Sequence, residues 1–233
     1  MTEPNRRVVL TGAGGLIGRA IAALLPAGWD LVLTDRRAAD GIGALDVTDA
    51  DACRVAFAGA DAVVHLAAVA DPDASWERLL PANVVGAHQV ARAAGECGVR
   101  RLVLASSLQA VSAAPVETQL RSTDPPRPAN LYGATKAWAE ALGSWVAATT
   151  AISVVALRIG YFALVRPEAD AVPAGELAAW LSPRDAAELV RAAVEAEDLD
   201  FVVVNGTSAN RYRRADLQDT IRRLGYRPTD DAW

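Results

Sequence analysis

Arg7-Val-Val-Leu-Thr-Gly-Ala-Gly-Gly-Leu-Ile-Gly-Arg-Ala-Ile21 decides the fold. Val8, Val9 and Leu10 form a short apolar run, the pattern of a strand covered on both faces. Glycines interrupt it from Gly12 to Gly15, and an apolar helical period begins at Leu16. Strand, glycine turn and helix in that order open a dinucleotide-binding βαβ unit. In such a unit Gly12 permits the sharp turn, Gly15 admits backbone N–H groups to a pyrophosphate, and Gly18 lets helix and strand lie close. The start of the helix adds N–H donors and partial positive charge for the anion. A second apolar run, Leu31-Val-Leu-Thr34, ends in Asp35, roughly 20 residues on, where a carboxylate accepts bonds from the ribose hydroxyls.

Working outward, strands are expected near 7–11, 30–34, 43–46, 61–66, 101–105, 152–158 and 201–204. Helices are expected near 15–26, 49–58, 75–98, 131–148, 183–197 and 213–224. This alternation specifies an α/β fold: parallel strands joined by crossover helices into a doubly wound (Rossmann) sheet. The division expected is a dinucleotide-binding unit over 1–160 and a small substrate-covering portion over 161–233 that does not fold independently. Ligands of such sheets sit beyond the carboxyl ends of the strands. Two long irregular stretches, 106–130 and 161–182, follow strands on that side, and loops of this length are uncommon unless functional or mobile. Asp46, after the third strand, suits either the adenine amino group or the cap of the next helix. Leu66, Ala67 and Ala68, after the fourth, are small enough for a cofactor to pass closely.

Bulk properties narrow the partners. The chain has 233 residues, 52% of them hydrophobic, and a formal net charge of −5. That balance argues against nucleic acid or an anionic membrane. No apolar run is long enough to span a bilayer, and no leader pattern precedes the first strand. Cys53 and Cys97 are isolated, which suits a reducing, cytoplasmic compartment. With His65 and His88 the sole histidines, no metal site is expected. The expected partner is a small-molecule substrate.

The candidate chemistry lies at Tyr132-Gly-Ala-Thr-Lys136. Tyr132 and Lys136 are four apart and share a helix face. A phenol with a pKa of about 10 is a poor base at neutral pH; a lysine ammonium one turn away stabilises the phenolate. Ser106 and Ser107 end the preceding strand, where a serine hydroxyl can hold a reacting oxygen in line with the phenol.

With these motifs the chain resembles the extended short-chain dehydrogenase/reductases, the NAD-dependent epimerase/dehydratase family. The marks are Thr11-Gly-Ala-Gly-Gly-Leu-Ile-Gly18, Asp35, Asp46-Val47, His65-Leu-Ala-Ala68, Asn83, Ser106-Ser107, Tyr132-Gly-Ala-Thr-Lys136 and Leu157-Arg-Ile-Gly160. The resemblance implies a catalytic group of Ser107, Tyr132 and Lys136, with Asn83 supporting the catalytic helix. It implies cofactor contacts at Gly12, Gly15, Leu16, Ile17, Gly18, Asp35, Arg36, Asp46, Val47, Leu66, Ala67, Ala68, Lys136 and Ile159. NAD is favoured over NADP, since Asp35 repels a 2′-phosphate; Arg36 and Arg37 pull the other way.

Within the family the chain is most similar to the uronate dehydrogenases. Shared stretches include Trp180-Leu-Ser182, Asn205-Gly-Thr-Ser-Ala-Asn210 and Leu224-Gly-Tyr-Arg-Pro-Thr-Asp-Asp231. Substrate contacts are implied at Ala70, Ser107, Leu108, Gln109, Tyr132, Tyr161 and Arg166. Here the chain departs from the pattern: Leu108-Gln109 replaces Asn-His, Tyr161 and Ala70 stand where serines are usual, and Gly175 falls where an arginine holds the uronate carboxylate. Arg166 is the candidate replacement cation. The expected activity is hydride transfer between NAD and a secondary alcohol or lactol of a sugar or sugar acid. The alternatives are an NAD(P)-dependent reductase of a small apolar ketone and a sugar epimerase with tightly held NAD. Leu108 and Gln109 replace the Asp-Glu pair that a dehydratase would carry. A stripe of Trp138, Leu142 and Trp145 suggests a homodimer through helices 75–98 and 131–148.

Overall fold

The structure, a computed structural model, describes residues 6–115 and 117–233. The first strand, β1 (Arg6–Thr11), leads through the glycine turn into α1 (Leu16–Ala22), followed by β2 (Trp29–Asp35) and β3 (Gly43–Ala44). The chain continues through α2 (Ala50–Phe57), β4 (Ala62–His65), α3 (Trp76–Leu79) and α4 (Ala87–Glu96) to β5 (Arg101–Ser107). Then come α5 (Leu131–Thr149), β6 (Ser153–Ile159), β7 (Tyr161–Phe162), α6 (Ala174–Leu177) and β8 (Trp180–Leu181). Last are α7 (Pro183–Glu195), β9 (Phe201–Gly206) and α8 (Gln218–Leu224).

The principal sheet has the order β3-β2-β1-β4-β5-β6-β9, and every pairing in it is parallel. Parallel strands need both faces covered, and the near-continuous apolar runs supply both. One face packs Val8, Leu10 and Val155 against Ile21 of α1, Val190 of α7 and Leu224 of α8. The other packs Val9, Val63 and Leu104 against Phe57 of α2, Val90 of α4 and Leu142 of α5. The expected doubly wound sheet is therefore present. Its strand order reverses between β1 and β4, which opens the crevice where ligands of this architecture bind.

Local sequence sets the helix starts. The Asp49 side chain caps α2 by accepting from the N–H groups of Asp51 and Ala52, Asn130 caps α5 through Gly133, and Ser182 caps α7 through Asp185. Each supplies an acceptor to N–H groups that the helix cannot satisfy. Asp46 is not that cap: its Oδ1 accepts from the N–H and hydroxyl of Thr48, at 2.9 and 2.7 Å.

Three expected elements differ. The helix expected over 75–98 is divided by a π-helical stretch, Leu80–Gly86. Pro81 at its start lacks the N–H an α-helical ladder needs, and such bulges concentrate at functional sites. The helix expected from residue 213 begins only at Gln218. The preceding backbone is spent on another segment: Leu120 donates to the Arg214 carbonyl and Asp216 donates to that of Leu120, both at 2.8 Å. Finally, 161–182 is not irregular throughout. Strands β7 and β8 pair in parallel as a separate two-stranded sheet, with α6 between them.

Candidate active site

The glycine turn is required by its surroundings. Gly12 has φ +75°, and a Cβ there would lie 2.5 Å from the Ala67 amide nitrogen; a side chain is excluded on both counts. Beside the turn, Asp35 Oδ2 at the end of β2 accepts from the Gly14 N–H at 3.0 Å. The carboxylate is thereby fixed next to the glycine backbone.

The second half of the site is carried by β5 and α5. Tyr132 and Lys136 lie on the buried face of α5. Lys136 Nζ donates to the Ala105 carbonyl at 2.8 Å and sits 5.6 Å from the centroid of the Tyr132 ring. Ser107 Oγ accepts from the Gln109 N–H at 3.1 Å and lies 3.4 Å from the Ile159 carbonyl. Burial raises the pKa of the Tyr132 phenol, and a hydrogen bond with Ser107 opposes the rise. Burial pushes Lys136 down to about 8. The close approach of α5 to the turn after β5 depends on Gly133, whose absent Cβ would collide with the Gln109 carbonyl.

Asn83 acts within this framework through its amide. Its Oδ1 accepts from the Val69 N–H at 2.8 Å, and its Nδ2 donates to the Val69 carbonyl and Thr135 Oγ1, each at 3.0 Å. It thus ties the segment after β4 to α5 between Tyr132 and Lys136. Buried His65 pairs with Thr11, with Nδ1 and Oγ1 2.8 Å apart. Burial, then the Lys136 charge, pushes its pKa down to about 3, so the ring is neutral.

A single cavity of about 660 Å³ joins the two halves. Gly12, Gly15, Leu16, Ile17, Gly18, Leu66 and Ala68 line it, as do Ser107, Tyr132, Lys136 and Ile159. Of the expected substrate contacts, Ala70, Leu108, Gln109 and Tyr161 also face it. Asp35, Arg36, Asp46, Val47, Ala67 and Asn83 are not on its wall; Asp35 and Ala67 adjoin the glycine turn instead. Arg36 and Asp46 are exposed, whereas Val47 is buried against Gly86. Arg166 is exposed and does not line the cavity. The arginine that does is Arg214, from the stretch before α8, together with Glu176 of α6. Neither is expected there from the sequence, in which the pair Arg213-Arg214 reads as a solvated face. Arg214 was hidden inside an expected helix, and a lone glutamate in a short helix carries no pattern.

The cavity fits a dinucleotide as its sequence motif requires. The cradle at Gly12 admits backbone and no side chain, Asp35 stands beside it, and the wall runs unbroken from there to Tyr132.

Comparison with known proteins agrees with this geometry. Residues 8–182 match the NAD dependent epimerase/dehydratase family. The chain belongs to that family. Among similar proteins, L-arabinose 1-dehydrogenase (NAD(P)(+)) of Haloferax volcanii is 36% identical over 247 residues, covering 97% of both chains. The NAD-dependent glucose-6-phosphate dehydrogenase of the same organism is also 36% identical, covering 98% of this chain and 95% of its own. Among solved structures, a mutant of uronate dehydrogenase from Agrobacterium tumefaciens, complexed with NAD, superposes with a TM-score of 0.88. It is 29% identical, over 97% of this chain and 86% of that one.

Proposed function

We propose that the chain is an NAD-dependent dehydrogenase that oxidises the anomeric hydroxyl of a sugar, giving a lactone. One observation carries the reading: Ser107, Tyr132 and Lys136 line the same cavity as the glycine turn. The relatives named for sugar and uronate oxidation support it.

The Gly12–Gly18 turn would hold the NAD pyrophosphate, Asp35 the adenosine ribose, and Lys136 the nicotinamide ribose, with Leu66, Ala68 and Ile159 along its path. When bound, NAD supplies the hydride acceptor. Tyr132 takes the proton from the substrate hydroxyl as its carbon loses hydride, so that C–H and O–H bonds break and C=O forms. Ser107 holds that oxygen against the phenol. Lys136, as the ammonium, stabilises the phenolate. Asn83, bonded to Val69 and Thr135, keeps α5 in place. Burial raises the phenol's pKa, so the two hydroxyl and ammonium partners are needed for Tyr132 to act as base.

On this reading residues 1–160 carry cofactor and chemistry, and residues 161–233 cover the substrate. A homodimer through α5 is supported by Trp138 and Trp145, which are exposed, whereas Leu142 of the same stripe is buried. A cytoplasmic setting is supported by free thiols at Cys53 and Cys97; no helix among the described residues is long and apolar enough to cross a membrane. The test is NADH formation, followed by ultraviolet absorbance, with aldoses, uronic acids and simple secondary alcohols. Oxidation of at least one sugar to its lactone is expected. A protein that binds NAD yet oxidises no sugar overturns the reading.

A further inference from the structure

Among the described residues, only three charged side chains reach the cavity: Lys136, Glu176 and Arg214. Lys136 is engaged with the Ala105 carbonyl beside Tyr132. Arg214 is turned onto backbone oxygens, donating to the carbonyls of Ala114, Pro115 and Thr118. It fastens that segment. Selective recognition of a carboxylate calls for a guanidinium fork presented to the ligand, and these bonds direct the fork elsewhere. Glu176, by contrast, is exposed on the wall, and no described cation forms an ion pair with it. Arg166 does not reach the wall. Gly175, which does, leaves empty space where a side chain would begin.

The remainder of this wall is apolar or neutral. Leu108, Leu120, Phe162 and Pro173 offer hydrocarbon, while Gln109, Ser112 and Tyr161 offer uncharged hydrogen-bonding groups, which suit sugar hydroxyls. A carboxylate brought here would lose water without gaining a guanidinium fork turned towards it, and would meet the charge of Glu176. We infer that the substrate is a neutral aldose and that this wall selects against hexuronates. The inference rests on the dehydrogenase reading above and narrows it.

The test uses matched sugars: D-galactose, D-galacturonate and L-arabinose, which share ring configuration and differ in the substituent beyond the ring, and D-glucose with D-glucuronate. With NAD, kcat/KM for the neutral sugar is expected to exceed that for its uronate at least tenfold in each pair. Gly175→Arg, for which the site has room, is expected to raise the uronate-to-hexose ratio at least tenfold. Glu176→Gln is expected to move it the same way by a smaller factor. Calorimetric titration of the Tyr132→Phe protein with each sugar, NADH present, is expected to give the same order without turnover. A uronate used as well as its hexose, or a ratio that neither substitution raises, overturns the inference and leaves sugar dehydrogenation standing. Failure to oxidise any of the five sugars overturns both.

Discussion

Arg158 of β6 and Glu140 of α5 form a two-pronged ion pair, Nε to Oε1 and Nη2 to Oε2, each at 2.8 Å. Their side chains are 2% and 5% exposed. Ser106 Oγ donates to the same Glu140 oxygen at 2.6 Å, and Arg158 donates further to the carbonyls of Arg121 and Asp124, at 3.3 and 3.0 Å. The pair therefore joins the helix that carries Tyr132 to the strand that carries Ser107 and to the loop ahead of α5. Removing one partner leaves a buried charge uncompensated, at a cost of about 3–5 kcal/mol. Glu140→Gln is expected to lower the unfolding free energy by about that amount in urea titrations. The double replacement Glu140→Leu, Arg158→Met is expected to cost clearly less than the two single changes summed. Strict additivity would show that the pair is not coupled.

Tyr132→Phe removes a hydroxyl whose described partner is Ser107 and leaves the ring's packing intact. Loss of a general base typically reduces turnover by about 10²–10⁴-fold. The variant is expected to lose kcat to that extent, with NADH affinity, read by fluorescence titration, within about twofold of the parent. Retained turnover would remove Tyr132 from the proposed mechanism.

What the sequence disclosed was what lies close together along it. The glycine turn is one continuous stretch, and Tyr132 and Lys136 are one helical turn apart. Both are read by spacing alone. Asn83 is legible only through the family resemblance, and the reason for it is tertiary: a π-helical stretch aims its amide at Val69 and at Thr135, 52 residues away. Glu140 and Arg158 look like an ordinary surface helix residue and a strand cation until the fold buries both. Arg166 and Arg214 show the same limit more sharply. Nothing local distinguishes an arginine on an exposed stretch from one whose backbone is pinned to Leu120 and which lines the cavity while its guanidinium holds the carbonyls of Ala114, Pro115 and Thr118.

Asp35 is held by the Gly14 N–H at 3.0 Å, so its carboxylate is presented beside the glycine turn with little freedom. A negative charge there opposes a 2′-phosphate, while the neighbouring Arg36 is exposed and available to one. Asp35→Asn keeps the shape and removes the charge. It is expected to lower the NAD-to-NADP ratio of kcat/KM by about tenfold, equivalent to about 1.4 kcal/mol. An unchanged ratio would mean that Asp35 does not discriminate between the two cofactors.

His65 gives the fold a pH dependence of definite sign. It is buried beside Thr11, and burial together with the Lys136 charge holds its pKa at about 3, against an ordinary 6.5. Below pH 6.5 the unfolded chain takes up a proton that the folded chain refuses, so stability falls as pH falls, until the folded pKa is passed. The loss attributable to this residue is about 2 kcal/mol by pH 5 and on the order of 4–5 kcal/mol by pH 3. Above pH 6.5 its contribution is constant. His65→Gln keeps a hydrogen-bonding side chain that does not titrate, and its unfolding free energy is expected to fall by about 2 kcal/mol less than the parent's between pH 7 and pH 5. Urea titrations of both proteins at the two pH values measure the difference. Parallel losses would show that the buried imidazole is protonated in the folded state, and the neutral Thr11–His65 pair would have to be abandoned.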